Sequence, residues 1–258
     1  MKNDDFEILK EMLFSENWPI AVNPNLICNL SEESKKNRAI DVIDLIIEKK
    51  LSSKEKFLDL GCKEKYCLKA AEQKYGCQCV GFNENFISSK ESENIFISNS
   101  LEEIKKMGTY DAILLFDIID HSKYDPVNLL KTAANLLSPN GRIYMRCHPW
   151  ISRHGTHLYR KLNKAFMHLV FKDEEIKELI ENYEPEENKK IIKPLLRYNY
   201  FISESGLIQE SRSEVKEPVE SFFKTKIIKE RIIENTSKKD FFEFQMGLSF
   251  IDYVLKKN

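Results

Sequence analysis

The sequence predicts an α/β fold: one domain with a mostly parallel sheet of seven strands and helices on both faces. Three observations predict it. Strand-like and helix-like segments alternate from Lys56 to Cys147, the pattern of strands joined by crossover helices. The run Tyr110 to Phe116 (YDAILLF) is almost wholly apolar, as a strand covered on both faces must be. Asp125-Pro126 is a cap-then-proline helix start, and Pro139-Asn140-Gly141 is a turn before the next apolar run.

Residues 5–14 form a short amphipathic helix, followed by a loop holding Trp18, Pro19 and Pro24. Helical spacing over 32–50 places Ile40, Ile43, Leu45, Ile46 and Ile47 mainly on one face. The first strand, Lys56 to Leu60, stops at Gly61, and a helix over 64–75 packs through Leu68, Ala70 and Ala71. The second strand runs from Cys77 to Phe82 and the third from Asn94 to Ser98. A helix over 100–107 opens with Ser100 and carries Glu103 three residues on, the pattern of a capping box. The fourth strand is Tyr110 to Phe116, a helix follows over 125–137, and Arg142 to Cys147 is the fifth strand. Helices are expected over 172–183, 187–204 and 219–234, with strands from Leu207 to Val215 and Gly247 to Leu255.

With 42% apolar and 31% charged residues, the 258-residue chain can build a sizeable core. Its net charge of −1 argues against a protein that coats nucleic acid by bulk charge. It carries no apolar run long enough to span a bilayer, and its acidic, amphipathic start lacks the plan of a signal peptide. A cytoplasmic protein is therefore expected. The six cysteines, Cys28, Cys62, Cys67, Cys77, Cys79 and Cys147, are irregularly spaced and read as buried thiols of a reducing compartment.

Several of these stretches resemble the class I S-adenosylmethionine-dependent methyltransferases. FLDLGC, ending at Cys62, resembles that family's first strand and glycine loop. VGFNEN, ending at Asn85, resembles its second strand. YDAILLFDIIDHSKYDPVNLLKTAANLLSPNGRIYM, from Tyr110, resembles its buried fourth strand, amphipathic helix and following turn and strand. The resemblance implies a Rossmann-like sheet and S-adenosylmethionine as cofactor. The resemblance covers about 50–147 well and 200–258 loosely and leaves 1–50 and 148–200 unmatched, so the single domain is divided into an N-terminal helical lid over 1–50, a cofactor-binding core over 51–147, a helical insertion over 148–200 and C-terminal strands over 201–258.

In open α/β sheets, ligands bind at the carboxyl ends of the strands. The resemblance implies that Asp59, Gly61, Cys62 and Lys63 line the methionine part of the cofactor, with Asn83 at the ribose. Asn99 and Ser100 fall at the adenine edge, and Asp117 and Ile118 near the transferred methyl group. The chain departs from the family in two places. Gly61-Cys-Lys-Glu-Lys65 has one glycine where relatives carry roughly G-x-G-x-G, and Asn83 stands where they carry an acid. A methyltransferase-like binding module without activity is the alternative reading, and it predicts Lys63 or Lys65 filling the cofactor cavity.

The second candidate region follows the fifth strand: His148, Trp150, Arg153, His154, His157 and Tyr159, with Arg146 just before. As a substrate wall, His148, His154 or His157 takes a proton from the acceptor, the arginines hold an anion, and the rings stack on it. His121, after the fourth strand, has the same candidate role. Capping or satisfying buried carbonyls is the competing role for each histidine. H-x5-H-x2-H with Asp120 is not the H-E-x-x-H metal pattern, and no metal is expected. Trp18 belongs to a lid or to the core, and the charge runs at Glu174-Glu175, 184–187 and Lys189-Lys190 read as solvated helix faces. A small-molecule acceptor is expected. Asp117-Ile-Ile-Asp120 lacks the [DNS]-P-P-[YFW] pattern of amino methylation on a base, which disfavours a nucleic-acid acceptor and leaves tRNA or ribose open.

Overall fold

The computed structural model of the chain describes residues 2–24, 31–45, 51–119, 125–153, 155, 157–184, 195–236 and 243–258. These divide into two compact units. One comprises 1–29, 148–195 and 214–251; the other comprises 30–147, 196–213 and 252–258.

The second of these units, the sheet unit, carries the α/β alternation. Its elements in chain order are α2 (Glu32–Leu45), β1 (Lys56–Leu60), α3 (Tyr66–Tyr75), β2 (Gln78–Phe82), β3 (Ser89–Lys90) and β4 (Ile95–Ser98). Next come α4 (Leu101–Lys106), β5 (Tyr110–Phe116), α5 (Pro126–Leu136), β6 (Leu137–Cys147) and α8 (Leu195–Glu204). β7 (Leu207–Lys216) and β8 (Leu248–Lys257) complete an eight-stranded sheet of order β3-β4-β2-β1-β5-β6-β8-β7. β1 pairs parallel to β2 and β5, β2 to β4, and β5 to β6, as the crossover helices require.

The count of eight corrects the seven strands read from the sequence. The extra strand is β3, whose two residues pair antiparallel with β4. Two residues are too few to show an alternating pattern. β6 also differs from expectation, because Pro139-Asn140-Gly141 lies within the strand as a bulge. Tyr110 faces Leu137 while Ala112 already faces Arg142. Gly141 fits there because a Cβ would stand 2.9 Å from the Tyr110 carbonyl oxygen.

The core of the sheet unit joins Phe57, Leu114, Ala112 and Tyr144 from the strands to Leu68, Ala71, Val42 and Ile43 from α3 and α2. Cys62, Cys77, Cys79 and Cys147 are buried, as expected of apolar thiols; Cys67 is half-buried, and Cys28 lies outside the described residues. α5 starts where the sequence placed it, with Asp125 accepting from the Asn128 N–H at 2.9 Å and Pro126 in its first turn.

The other unit holds α1 (Lys2–Phe14), α6 (Met167–Val170), α7 (Asp173–Leu179), α9 (Lys226–Thr236) and α10 (Glu243–Met246). Its core is aromatic. Trp18 is buried, stands 5.4 Å and 5.6 Å from the rings of Phe222 and Phe223, and donates its indole N–H to the Ala165 carbonyl at 2.9 Å. Of the two roles open for Trp18, the structure gives it the core. Glu175 departs from the solvated face read for Glu174-Glu175. Its carboxylate accepts from Arg231 at 2.6 Å and from the Lys172 N–H at 2.8 Å, with its side chain only 15% exposed. Among the described residues, no helix is long and apolar enough to cross a membrane.

Candidate functional site

The first loop begins where β1 ends. Gly61 turns the chain with φ +111° and still donates its N–H to the Phe82 carbonyl at 3.1 Å. A side chain there meets two obstacles, the positive φ and the neighbour, since a Cβ would stand 2.6 Å from Cγ1 of Ile118. The glycine is therefore what lets the loop and the end of β5 approach so closely. Asp59, two residues earlier, is buried, and burial pushes its carboxyl from 3.8 up to about 7, with hydrogen bonding to Cys62 acting the other way. The Cys62 thiol lies 3.2 Å from the Glu64 carbonyl oxygen. Burial and the neighbouring Asp59 raise it far above the ordinary thiol range, so it is a packed thiol and no nucleophile.

Asn83 follows β2 and ties two loops together. Its amide donates to the Cys62 carbonyl at 2.7 Å, and its side-chain oxygen accepts from the Asn85 N–H at 2.9 Å. The acid that relatives carry there accepts only; it could not make the first of these bonds. At the end of β4, the buried Ser98 hydroxyl donates to Glu103 at 2.5 Å and accepts from the Ser100 N–H at 2.9 Å. Ser100 caps α4 by accepting from the Glu103 N–H at 3.4 Å. Only that half of the expected capping box forms, because Ser98 and Ser88 take the Glu103 carboxylate, the latter at 2.9 Å. Asn99 is exposed, its side-chain oxygen 3.3 Å from the Ser88 hydroxyl.

At the end of β5, Asp117 adopts a left-handed φ of +51° and donates its N–H to the Arg146 carbonyl at 3.2 Å. Its carboxylate lies 3.6 Å from Arg38 of α2. The guanidinium groups of Arg38 and Arg146 lie 5.4 Å and 5.7 Å from the centre of the Phe116 ring. Arg146 also holds Asp252 through two bonds of 2.6 Å. α2 reaches the first loop as well, through Lys35 to Glu64 at 2.6 Å and Glu32 to the Tyr66 hydroxyl at 3.2 Å.

The structure thus brings Asp59, Gly61, Cys62 and Ile118 together, with Asn83 bonded to the same loop and Asp117 beside Ile118. Lys63 is exposed, and Lys65 is held by Glu91 at 2.7 Å. An open groove of about 340 Å³ lies elsewhere, between α2 and the end of α3, lined by Ile40, Ile43, Ala70 and Gln73. It faces the amino ends of the strands, so we give it no part in this site.

In the unit that contains the insertion, His148 is buried with its ring 4.6 Å from Phe250 and 6.3 Å from His157. His157 has φ +59° and stands 5.4 Å from Tyr159. His121 and His154 lie outside the described residues, as does Asp120. Arg153 is engaged by Glu220 and, at 3.3 Å, by Glu217. The sequence reading passed over His168. It is buried, its Nε2 lies 2.7 Å from the Trp150 carbonyl oxygen, and its ring packs 5.3 Å from the Trp150 ring. Gly155 nests against the same pair, with no room for a Cβ beside the Trp150 carbonyl and His168. A histidine inside the apolar run AFMHLVF was the available signal for such an anchored ring.

A family model described as a methyltransferase domain matches residues 31–184. Among solved structures, the chain is similar to coclaurine N-methyltransferase bound to N-methylheliamine and S-adenosylhomocysteine, at 14% identity over 97% of this chain and 81% of that one, with a TM-score of 0.51. It is also similar to geranyl diphosphate methyltransferase in complex with S-adenosylmethionine, at 9% identity over 95% of this chain and 100% of that one, with a TM-score of 0.50. No curated protein matches the sequence.

Proposed function

Because the chain belongs to the methyltransferase-domain family, we propose that it transfers a methyl group from S-adenosylmethionine to a small-molecule acceptor. The observation that carries this reading is the turn at Gly61. Within the family-matched segment, at the carboxyl end of β1, a glycine at φ +111° brings bare backbone against Ile118 and next to the buried Asp59. That turn starts a loop at the carboxyl ends of the strands, where ligands of open α/β sheets bind, and the polar groups gathered on it fit the cofactor. Asp59, Gly61, Cys62 and Lys63 would hold its methionine part, Asn83 its ribose, and Asn99 and Ser100 its adenine, with Asp117 and Ile118 near the methyl group. Bound there, the cofactor supplies a sulfonium-borne methyl group for in-line displacement.

Two of these assignments take a particular form in this chain. Asn83 already spends one lone pair of its side-chain oxygen on Asn85, so it offers the second to a hydroxyl. Ser100 accepts the α4 cap bond at its hydroxyl oxygen and commits its backbone N–H to Ser98, so what it offers is the hydroxyl proton. Engagement of Lys65 by Glu91 supports the enzyme reading over the inactive module, which needs a lysine turned into the cavity. A small-molecule acceptor accords with the two similar structures, one bound to N-methylheliamine and the other named for geranyl diphosphate. His121, His148, His154 and His157 are proposed as proton acceptors for the nucleophile, with His148 and His157 already in one ring cluster. Replacing either by Gln should lower kcat and remove the acid limb of its pH profile, whereas a packing role lowers thermal stability and leaves that profile unchanged.

The test is calorimetric titration of the full chain with S-adenosylmethionine and S-adenosylhomocysteine. Micromolar binding of both is expected, and binding of neither overturns the reading.

A further inference from the structure

Two thiols that the proposed chemistry leaves unused meet at the start of β2. The sulfur atoms of Cys77 and Cys79 stand 3.7 Å apart, both buried in the core that holds Leu68 and Ala71. Among the described residues no three metal-ligating side chains gather, so the pair has the chemistry of two thiols. The two are not equivalent. Cys79 lies inside the strand, where its N–H donates to the Asn94 carbonyl at 2.8 Å. Cys77 precedes the strand, and the ladder with β1 begins one residue later, with Gln78 opposite Lys56. Its neighbours Gly76 and Gln78 are both exposed. Cys77 therefore sits at a corner, and a local opening of Gly76 and Cys77 uncovers its thiol with the β1 ladder intact. Hydrogen bonding with Cys79 holds the Cys77 thiol below its ordinary range, with burial acting the other way. The same bond, and burial with it, raises Cys79 far above that range. Burial raises Cys62 and Cys67 as well. The thiolate is the nucleophile, so Cys77 is the reactive member of the pair. Cα atoms two residues apart in an extended chain are separated by about 6.6 Å, within the reach of a disulfide, which ends at about 6.8 Å. A bond closed near that limit is readily reduced again.

We propose that Cys77 and Cys79 form a reversible oxidation site, which hydrogen peroxide closes to a disulfide and a small dithiol reductant reopens. The Cys77 thiolate attacks one peroxide oxygen. An S–O bond forms and the O–O bond breaks, leaving a sulfenic acid at Cys77. The other oxygen departs as hydroxide and becomes water with the proton that Cys77 released. The Cys79 sulfur then attacks the Cys77 sulfur. The S–S bond forms, the S–O bond breaks, and the Cys79 proton leaves with that oxygen as a second water. Two thiols have lost two electrons and the peroxide has gained them. The site stands independently of the methyltransferase reading.

The test treats the reduced full chain with hydrogen peroxide, unfolds it in N-ethylmaleimide to block remaining thiols, and digests it with trypsin. Cleavage after Lys74 and Lys90 releases Tyr75–Lys90, whose only cysteines are Cys77 and Cys79. That peptide should appear two hydrogens lighter than its dithiol form and free of maleimide, before the Cys67 peptide loses its label. After dithiothreitol it should carry two maleimides. Retention of both labels in peroxide overturns the proposal, as does a sulfinic acid in place of the disulfide, or a bond to a different peptide. Two variants test the roles. Cys79→Ala removes the resolving sulfur, so Cys77 should stop at the sulfenic acid and be trapped by dimedone. Cys77→Ala should leave Cys79 unlabelled, and equal dimedone labelling in the two variants overturns the assignment of Cys77 as nucleophile. Melting temperatures show whether each variant folds, and the wild-type digest decides the disulfide without them.

Discussion

At position 61 a methyl group has nowhere to go. Gly61→Ala would hold an L-residue at φ +111° and press its Cβ to 2.6 Å from Ile118. Strain of this sort costs about 1–3 kcal/mol, so thermal unfolding should show a lower midpoint. Cofactor titration should show a larger loss, because the loop must move to relieve the clash. Unchanged affinity would detach Gly61 from the cofactor site. Asp59, two residues away, makes the sheet unit sensitive to pH. Its carboxyl ionises near 3.8 in the unfolded chain and near 7 when buried. The folded state therefore binds more protons between those values, and stability is lost as pH rises from about 4 to about 7. The loss is on the order of 4 kcal/mol, and Asp59→Asn should abolish it. Urea unfolding at several pH values checks the sign: a variant with the wild-type slope would place the titrating group elsewhere. Gly61 and Asp59 were both legible, since a strand ending in an acid and a glycine is a local signal. The reason for the glycine was not, because Ile118 lies far along the chain.

Between elements, Asn83 joins the loop after β2 to the loop after β1. Read along the sequence it was a departure, an amide where relatives carry an acid. In the structure the amide is required by its partner, since only an N–H can donate to the Cys62 carbonyl at 2.7 Å. Asn83→Asp, which restores the family's residue, should therefore destabilise this chain by about 1–3 kcal/mol at neutral pH, where carboxylate and carbonyl oppose each other. The loss should shrink at acid pH, where a protonated carboxyl donates again. A variant as stable as the wild type at pH 7 would show that the Cys62 contact contributes nothing. Legibility among elements followed the same division between local and distant causes. β1 and β5 begin and end where their apolar runs do, at Lys56–Leu60 and Tyr110–Phe116. The bulge in β6 escaped because Pro139-Asn140-Gly141 reads equally as a turn, and only pairing with Tyr110 and Ala112 decides the matter. Ser100 was a correct cap, but the destination of the Glu103 carboxylate depended on Ser88, in the loop before a strand too short to read.

At the scale of the whole molecule, two apolar cores among the described residues share no residue. One is built on Phe57, Leu114 and Tyr144, the other on Trp18, Phe166, Phe171 and Phe223. Both tryptophans, Trp18 and Trp150, lie in the unit made of 1–29, 148–195 and 214–251. Tryptophan fluorescence therefore reports that unit alone, while far-ultraviolet circular dichroism reports the strands and helices of both. Leu114→Ala removes a fully buried side chain from the sheet core and should cost about 2–5 kcal/mol. Trp18→Phe keeps a ring among the aromatics but deletes the donor to the Ala165 carbonyl, for a loss of about 1–3 kcal/mol, and leaves Trp150 as the fluorophore. If each core holds its own unit, Leu114→Ala lowers the dichroism-detected urea midpoint and leaves the fluorescence midpoint in place, and Trp18→Phe lowers the fluorescence midpoint first. Coincident shifts of both signals in both variants would instead make the chain one cooperative body. That result would also change how the cofactor titrations are read, because a substitution in the aromatic core would then weaken cofactor binding through the fold, with no contact to the ligand.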